Sequence, residues 1–324
     1  MKTRWIAFLV ICGFLTGLDF SMAAEPGYPT KTIEVILGFS PGGGTDLSAR
    51  MIAERAKQYL GQEVIIVNKP GGTGRVALTL VSKAKPDGYT LVALSDPGIV
   101  LIPHLEKVNY KPIDDFVFII QYGLINLGVT VLVDSPFRSI KDLVEYARTN
   151  PDKLTISSSG ADSPGAVAFQ AIALREGVKI KTVPFSGGAA AATALLGGHI
   201  TVASTAIPVL SPYLQAKQIR LLAVLGDERD NAYPEAPTLK ELGYPIAFQS
   251  WYFIAGPRNL EKPVVKKLEE AFRKVIESPE YTKFAQDLLI WARNPLSGDD
   301  LRDAFIRRSK EHGEIFKNLG MGIK

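Results

Sequence analysis

Four times in this chain a short β-branched run leads into a polar, glycine-bearing turn and then into a helical pattern. The turns are Gly38-Phe39-Ser40-Pro41-Gly42-Gly43-Gly44-Thr45-Asp46, Asn68-Lys69-Pro70-Gly71-Gly72-Thr73-Gly74, Ser157-Ser158-Ser159-Gly160-Ala161-Asp162-Ser163-Pro164-Gly165 and Pro184-Phe185-Ser186-Gly187-Gly188. Repetition of strand, turn and helix predicts an α/β fold with parallel strands. In such sheets the carboxyl ends of the strands gather at one edge, beside helix N-termini whose free N–H groups suit an anion.

The periodicities place strands at Ile33–Leu37, Val64–Val67 and Thr90–Leu94, with helices at Asp46–Leu60 and Gly74–Lys83 between them. From about Phe116 the pattern restarts. Strands are expected at Gly128–Val133, Leu154–Ser157, Ile180–Val183, Ile200–Ser204 and Gln249–Ala255, and helices at Ile140–Arg148, Ala166–Arg175 and Ala189–Leu196. Val209–Ala216 and Ile219–Leu225 complete this series, the stretch Gly226–Tyr244 reads as irregular, and the C-terminal part is helical. A second lobe inserted into the first explains the order. Residues 25–123 plus 250–324 would form lobe 1 and 124–249 lobe 2, with crossings near Phe116–Gly123 and Gln249–Ile254. A cleft between hinged lobes is a place to close around a small molecule.

The N-terminus reads as an export signal. Lys2 and Arg4 precede an apolar run from Trp5 to Leu18, and Ser21-Met22-Ala23-Ala24 supplies small residues for cleavage near Ala23 or Ala24. The run, ended by Asp19, is shorter than the roughly 20 residues of a membrane span. Residues 1–24 are thus expected to be removed and the rest exported to the periplasm. Cys12, the only cysteine, would leave with them; bulky Ile11 before it argues against a lipid anchor. The net charge is +4, and +3 once Lys2, Arg4 and Asp19 are subtracted. This mild excess, scattered along the chain, argues against nucleic acid as a partner.

Each catalytic pattern fails on detail. Gly38-Phe39-Ser40-Pro41-Gly42 matches the G-x-S-x-G nucleophile elbow. That elbow needs the N–H of the residue after the serine, and Pro41 has none. Gly72-Thr73-Gly74-Arg75-Val76-Ala77 resembles a dinucleotide fingerprint, but four residues separate it from its strand and no well-placed acid follows. No Walker lysine ends either glycine run, and the three histidines show no metal-ligand spacing. No cofactor and no catalytic residue are expected.

Four ordered segments resemble the Bug/TctC family, the extracytoplasmic solute-binding subunits of tripartite tricarboxylate transporters. They are YPTKTIEVILGFSPGGGTD from Tyr28 to Asp46, VNKPGGTG with PDGYTL from Val67 to Leu91, KLTISSSG from Lys153 to Gly160, and VPFSGGAAAATALLGG from Val183 to Gly198. The resemblance implies a periplasmic-binding-protein fold of type II, a small organic anion as ligand and membrane permease subunits as partners, without chemistry and without an obligate second copy. A ligand sensor feeding a membrane histidine kinase is the alternative within the same fold.

By the same resemblance, Phe39, Ser40, Gly42, Gly43, Gly44, Thr45 and Asp46 form the lower jaw and Ser158, Ser159, Gly160 and Ser163 the upper. Ser95, Phe185 and Thr205, at neighbouring strand ends, complete the candidate ligand-binding set. Asp46 has a second expected role as favourable charge in the first turn of its helix. The chain departs from the family where members carry a Val-Asp-x-x-x-Asp segment; here it reads Ile200-Thr201-Val202-Ala203-Ser204-Thr205. The family's usual lysine in a Tyr-Lys-Gly-Gly element is here Ser186. Loss of those acids implies a ligand without an amine, such as a di- or tricarboxylate or an aromatic acid.

Overall fold

Ile33, Val35, Ile36 and Leu37 are all buried in strand β1 (Ile33–Leu37), which needs apolar residues on both faces because helices cover both sides of its sheet. The computed structural model describes residues 27–158, 163–185, 187–291, 294–318 and 320–322. The expected export signal lies outside them. After β1 come α1 (Gly44–Leu60), β2 (Val64–Asn68), α2 (Arg75–Val81), β3 (Thr90–Ser95), α3 (Pro97–Val100) and β4 (Phe116–Ile125). A second series follows: β5 (Leu127–Leu132), α4 (Ile140–Thr149), β6 (Thr155–Ser158), α5 (Pro164–Glu176), β7 (Lys181–Pro184), α6 (Gly188–Leu196), β8 (Val202–Ala206), α7 (Ile207–Gln215) and β9 (Ile219–Val224). The chain closes with β10 (Ser250–Pro257), α8 (Lys262–Ile276), α9 (Pro279–Asp287) and α10 (Gly298–Asn318).

Two five-stranded sheets result, ordered β2-β1-β3-β10-β4 and β7-β6-β8-β5-β9. Each has three parallel strands at one side, its first strand flanked by its second and third. In each, the strand arriving from the other lobe, β10 or β5, runs antiparallel to both neighbours. The sheets are therefore mixed, where the sequence pattern suggested parallel ones. By position, β1 and α1 correspond to β6 and α5, β2 and α2 to β7 and α6, and β3 to β8.

α1 packs Ala49, Ile52, Ala53 and Ala56 onto one face of the first sheet, where Phe272 of α8 joins the same core. α10 covers the opposite face. Its Phe305 stands edge-on to Phe118 and Phe253, with ring centroids 5.0 and 5.2 Å away.

The stretch from Phe116, expected to cross between lobes, is instead the long buried strand β4. Only Asn126 separates it from β5, so no glycine or proline marks its end. The return path spans residues 225–249, irregular as expected. Ser250 pairs with Ile125, and Val224 pairs with Gly128, so departure and return lie side by side. Asn126, 4 % exposed, donates from Nδ2 to Asp230 Oδ2 at 3.1 Å and accepts from Gln249 Nε2 at 3.1 Å.

Candidate functional site

The loop after β1 is held from within by one carboxylate. Asp46, 2 % exposed, accepts from the Gly42 amide at 3.0 Å, Arg50 Nε at 2.9 Å and Asn68 Nδ2 at 2.8 Å. Asn68 Nδ2 also donates to the Phe39 carbonyl at 2.9 Å, tying the loop to the end of β2. Burial alone would raise the Asp46 pKa, but the bonds from Arg50, Asn68 and Gly42 outweigh it and hold the carboxyl below its ordinary value. Gly38 is required by a close approach. A side chain there would collide with Leu94 and stand 2.8 Å from the Cα of Gly74 in the neighbouring glycine turn.

So anchored, the loop presents the start of α1. Its N-cap, Gly43, is extended and offers no side-chain cap, so the first-turn amides have no partner of that kind. Ser40, Gly42 and Gly43 are exposed, Gly44 half-buried and Thr45 buried. Thr45 hydrogen-bonds the hydroxyl of Tyr252, whose pKa burial pushes up to about 12. Behind it, Tyr281 donates to the Tyr122 carbonyl at 2.7 Å, while the Tyr122 hydroxyl is buried without a partner. Burial first, then Tyr281, Tyr252 and Asp46, push the Tyr122 pKa well up, so this layer beneath the jaw stays neutral.

At the end of β3, Ser95 is buried and Asp96 is 1 % exposed. Arg308 of α10 binds Asp96 Oδ2 through Nη2 and Nε, and the Trp251 amide donates to Oδ1 at 3.0 Å. The same guanidinium donates to the Gln249 carbonyl at 2.6 Å and lies 4.4 Å over the Trp251 ring. Trp251 is thereby committed to the waist between the lobes.

In the second lobe, Ser163 caps α5 by position only. It is 1 % exposed, extended, and makes no capping bond. Thr205, at the end of β8, is buried against Gly188, the first residue of α6. Phe185 is half-buried against the small core of α6 and β8. Ser158 ends β6, and Ser159 and Gly160 lie outside the described residues, as does Ser186. The first-lobe candidates thus stand at the ends of β1 and β3, which pair directly, and the second-lobe candidates at the ends of β6, β7 and β8, which also pair. Among the described residues no His/Cys/Asp/Glu cluster could hold a metal ion.

Sequence reasoning singled out neither Asn68, Tyr252, Asp96 nor Arg308. An asparagine before Lys-Pro-Gly reads as a turn former, and Arg308 is one of several cations on a charged helix. Tyr252 sits within an apolar strand, where an aromatic residue needs no further explanation.

Two lobes of one topology, joined at two adjacent crossings and offering helix N-termini at their strand ends, define a two-lobed solute-binding protein of the periplasmic-binding type. Solved relatives have this fold. The chain superimposes on periplasmic binding protein BugD with a TM-score of 0.82 at 26% identity, covering 92% of this chain and 100% of that one. It matches R. palustris Rpa4515, solved with adipate, at a TM-score of 0.82 and 28% identity, over 91% and 99% of the two chains. Residues 48–321 match the tripartite tricarboxylate transporter family receptor, TctC. A Cupriavidus necator protein, described as the UPF0065 protein in the gbd 5' region, is 35% identical over 81% of this chain and 79% of its own length. The chain belongs to the TctC/Bug family, whose members are solute-binding receptors and not enzymes.

Proposed function

We propose that this protein captures a small organic carboxylate that lacks an ammonium group and presents it to the membrane subunits of a tripartite tricarboxylate transporter. The ligand would lie between lobe 1 (25–125 and 250–324) and lobe 2 (126–249), in a monomer exported to the periplasm after loss of residues 1–24. One jaw would be Phe39–Asp46 with Ser95, and the other Ser158–Ser163 with Phe185 and Thr205.

One observation carries this reading: the first jaw pairs an uncapped helix N-terminus with carboxylates that are already satisfied. Asp46 has three donors and Asp96 is held by Arg308. Neither is left to neutralise an ammonium, whereas the amides of α1 can receive an anion through charge-assisted bonds. The adipate bound by the R. palustris relative is an acid of the class proposed.

A thermal-shift screen of ligand-free protein tests the reading. An acid at about 100 times its dissociation constant stabilises the native state by roughly 2.7 kcal/mol. Amino acids belong in the screen as the competing class, because Asp162 stands in the second jaw loop. Calorimetry showing an amino acid bound more tightly than its amine-free counterpart overturns the ligand class. No shift with any anion overturns the receptor reading itself. Delivery is tested by uptake into vesicles carrying the permease, which should require the loaded receptor.

A further inference from the structure

Leu289, two residues beyond α9, holds a backbone conformation that side chains seldom adopt, with φ at +52°. The Ile290 amide reaches back to the Ala285 carbonyl at 2.7 Å, and the Leu289 amide to that of Gln286 at 2.9 Å. In this helix ending glycine usually takes the left-handed position. A leucine there is strained, and strain persists only where the surroundings hold it. Those surroundings belong to the other lobe. Leu289 packs on the small cluster of Ile207, Val224 and Ala236, beside Leu221 and Tyr233. These residues start α7, end β9 and follow on the return path, so a first-lobe side chain is seated where second-lobe segments meet.

The two residues after it reach the first jaw and the outward crossing. Ile290 lies against β4, where a Cβ added to Gly123 would stand 2.4 Å from its Cγ2. A Cβ added to Gly44, the first residue of α1, would stand 3.7 Å from Ile290 Cδ1 and 3.2 Å from the Tyr252 hydroxyl. Trp291 exchanges backbone bonds with Leu124, 2.7 and 2.9 Å long, just before the crossing at Asn126. One tripeptide thus touches the start of the jaw helix, the strand that leaves the first lobe and the core of the second. On the far face of the first sheet, Phe248 of the return path packs on Phe316 of α10, with ring centroids 5.9 Å apart. Leu289 grips the waist from the face that carries α1 and α9.

We propose that Leu289 is a positioning residue: seated in the second-lobe cluster, it fixes the angle between the lobes, and through Ile290 it ties that angle to the place of Gly44 in the first jaw. This rests on the carboxylate-receptor reading above. Leu289 lies in an apolar seat and offers no group to a carboxylate, so its loss acts on every acid alike. Apparent affinity falls with the fraction of receptor that holds the competent arrangement.

Leu289→Gly is the sparing variant, because glycine suits the left-handed position and keeps the helix ending. Cys12→Ser removes the chain's only cysteine, and spin labels on Gln58→Cys and Lys141→Cys, exposed residues of α1 and α4, then report the distance between lobes. Ligand-free protein with Leu289 intact is expected to give one narrow distribution. Leu289→Gly should give a broader one with its centre displaced, and saturating adipate should narrow it again. By calorimetry Leu289→Gly should bind succinate, glutarate and adipate about fivefold more weakly or worse, each by the same factor. Leu289→Met, which keeps an apolar side chain of similar volume, should match wild type in both measurements. Unchanged distances, unchanged affinity, or weakening that differs between acids overturns this inference and leaves the receptor reading standing. Failure of wild type to bind any acid overturns that reading, while the ligand-free distances still decide whether Leu289 sets the lobe angle.

Discussion

Arg308 binds Asp96 by two hydrogen bonds, 3.0 and 3.2 Å long, with its side chain 11 % exposed and that of Asp96 1 % exposed. The pair fastens α10 to the end of β3. Through the Gln249 carbonyl it also fastens α10 to the return crossing, and Gln249 in turn reaches Asn126 on the outward one. A buried pair of this kind adds little net stability against an apolar replacement, but loss of one partner strands a charge.

Arg308→Met should therefore destabilise the fold by about 3–5 kcal/mol, read as a fall in the urea midpoint. Asp96→Leu combined with Arg308→Met should recover much of that loss. A double mutant as unstable as the sum of its parts would deny the coupling.

His312 gives the protein an acid-sensitive point. It is 4 % exposed, its Nδ1 lies 3.1 Å from the Val100 carbonyl, and the Phe248 ring stands edge-on to it with centroids 5.2 Å apart. Burial, reinforced by Arg308, lowers its pKa to about 4. The unfolded chain takes up this proton near pH 6.5, whereas the folded chain resists until about pH 4. Stability should fall as pH drops through that window, by about 3 kcal/mol at its lower end. His312→Gln should flatten the urea midpoint between pH 6.5 and 4.5.

Asp46 acts in a lower window. Its carboxyl is held below the ordinary carboxylate value, so its stabilisation is complete above about pH 5 and disappears as pH falls through the depressed native pKa. Asp46→Ala takes the acceptor from the Gly42 amide and one of two acceptors from Asn68, and should cost about 2 kcal/mol at neutral pH. Hydrogen exchange should locate the loosening in the loop after β1.

Gly44 separates binding from folding. It is the first residue of α1, follows an extended Gly43, and occupies a position where proline is well tolerated. Gly44→Pro removes one first-turn N–H while keeping the helix. Circular dichroism should be unchanged, while carboxylate affinity drops about tenfold or more.

The strand ends were legible because glycine and helical periodicity leave local traces. Gly42, Gly43 and Gly44 announce a turn, and Leu47, Met51, Ile52 and Leu60 announce the helix after it. Strand β4 was missed because an apolar run that continues into the next strand carries no stop signal. The partners of Asp46 were illegible for another reason. Asn68 reaches it from the end of the neighbouring strand, and nothing near Asn68 in sequence records the carboxylate it meets. Leu289 reads as an ordinary apolar residue at a helix end until its φ and its second-lobe neighbours are known.

The two adjacent crossings also bear on how the chain reaches this structure. β10 must pair with β3 and β4, and a whole second lobe separates them in sequence. Pairing at such distance is slow in an unstructured chain, because loop closure precedes any gain. Once β5 and β9 have joined, with Gly128 opposite Val224, the two ends of the intervening segment stand one strand spacing apart. The second lobe then acts on the first as a short staple and delivers β10 to its slot. Formation of the β5–β9 ladder is therefore expected to precede the pairing of β10, and φ-values measured in the two ladders would show the order.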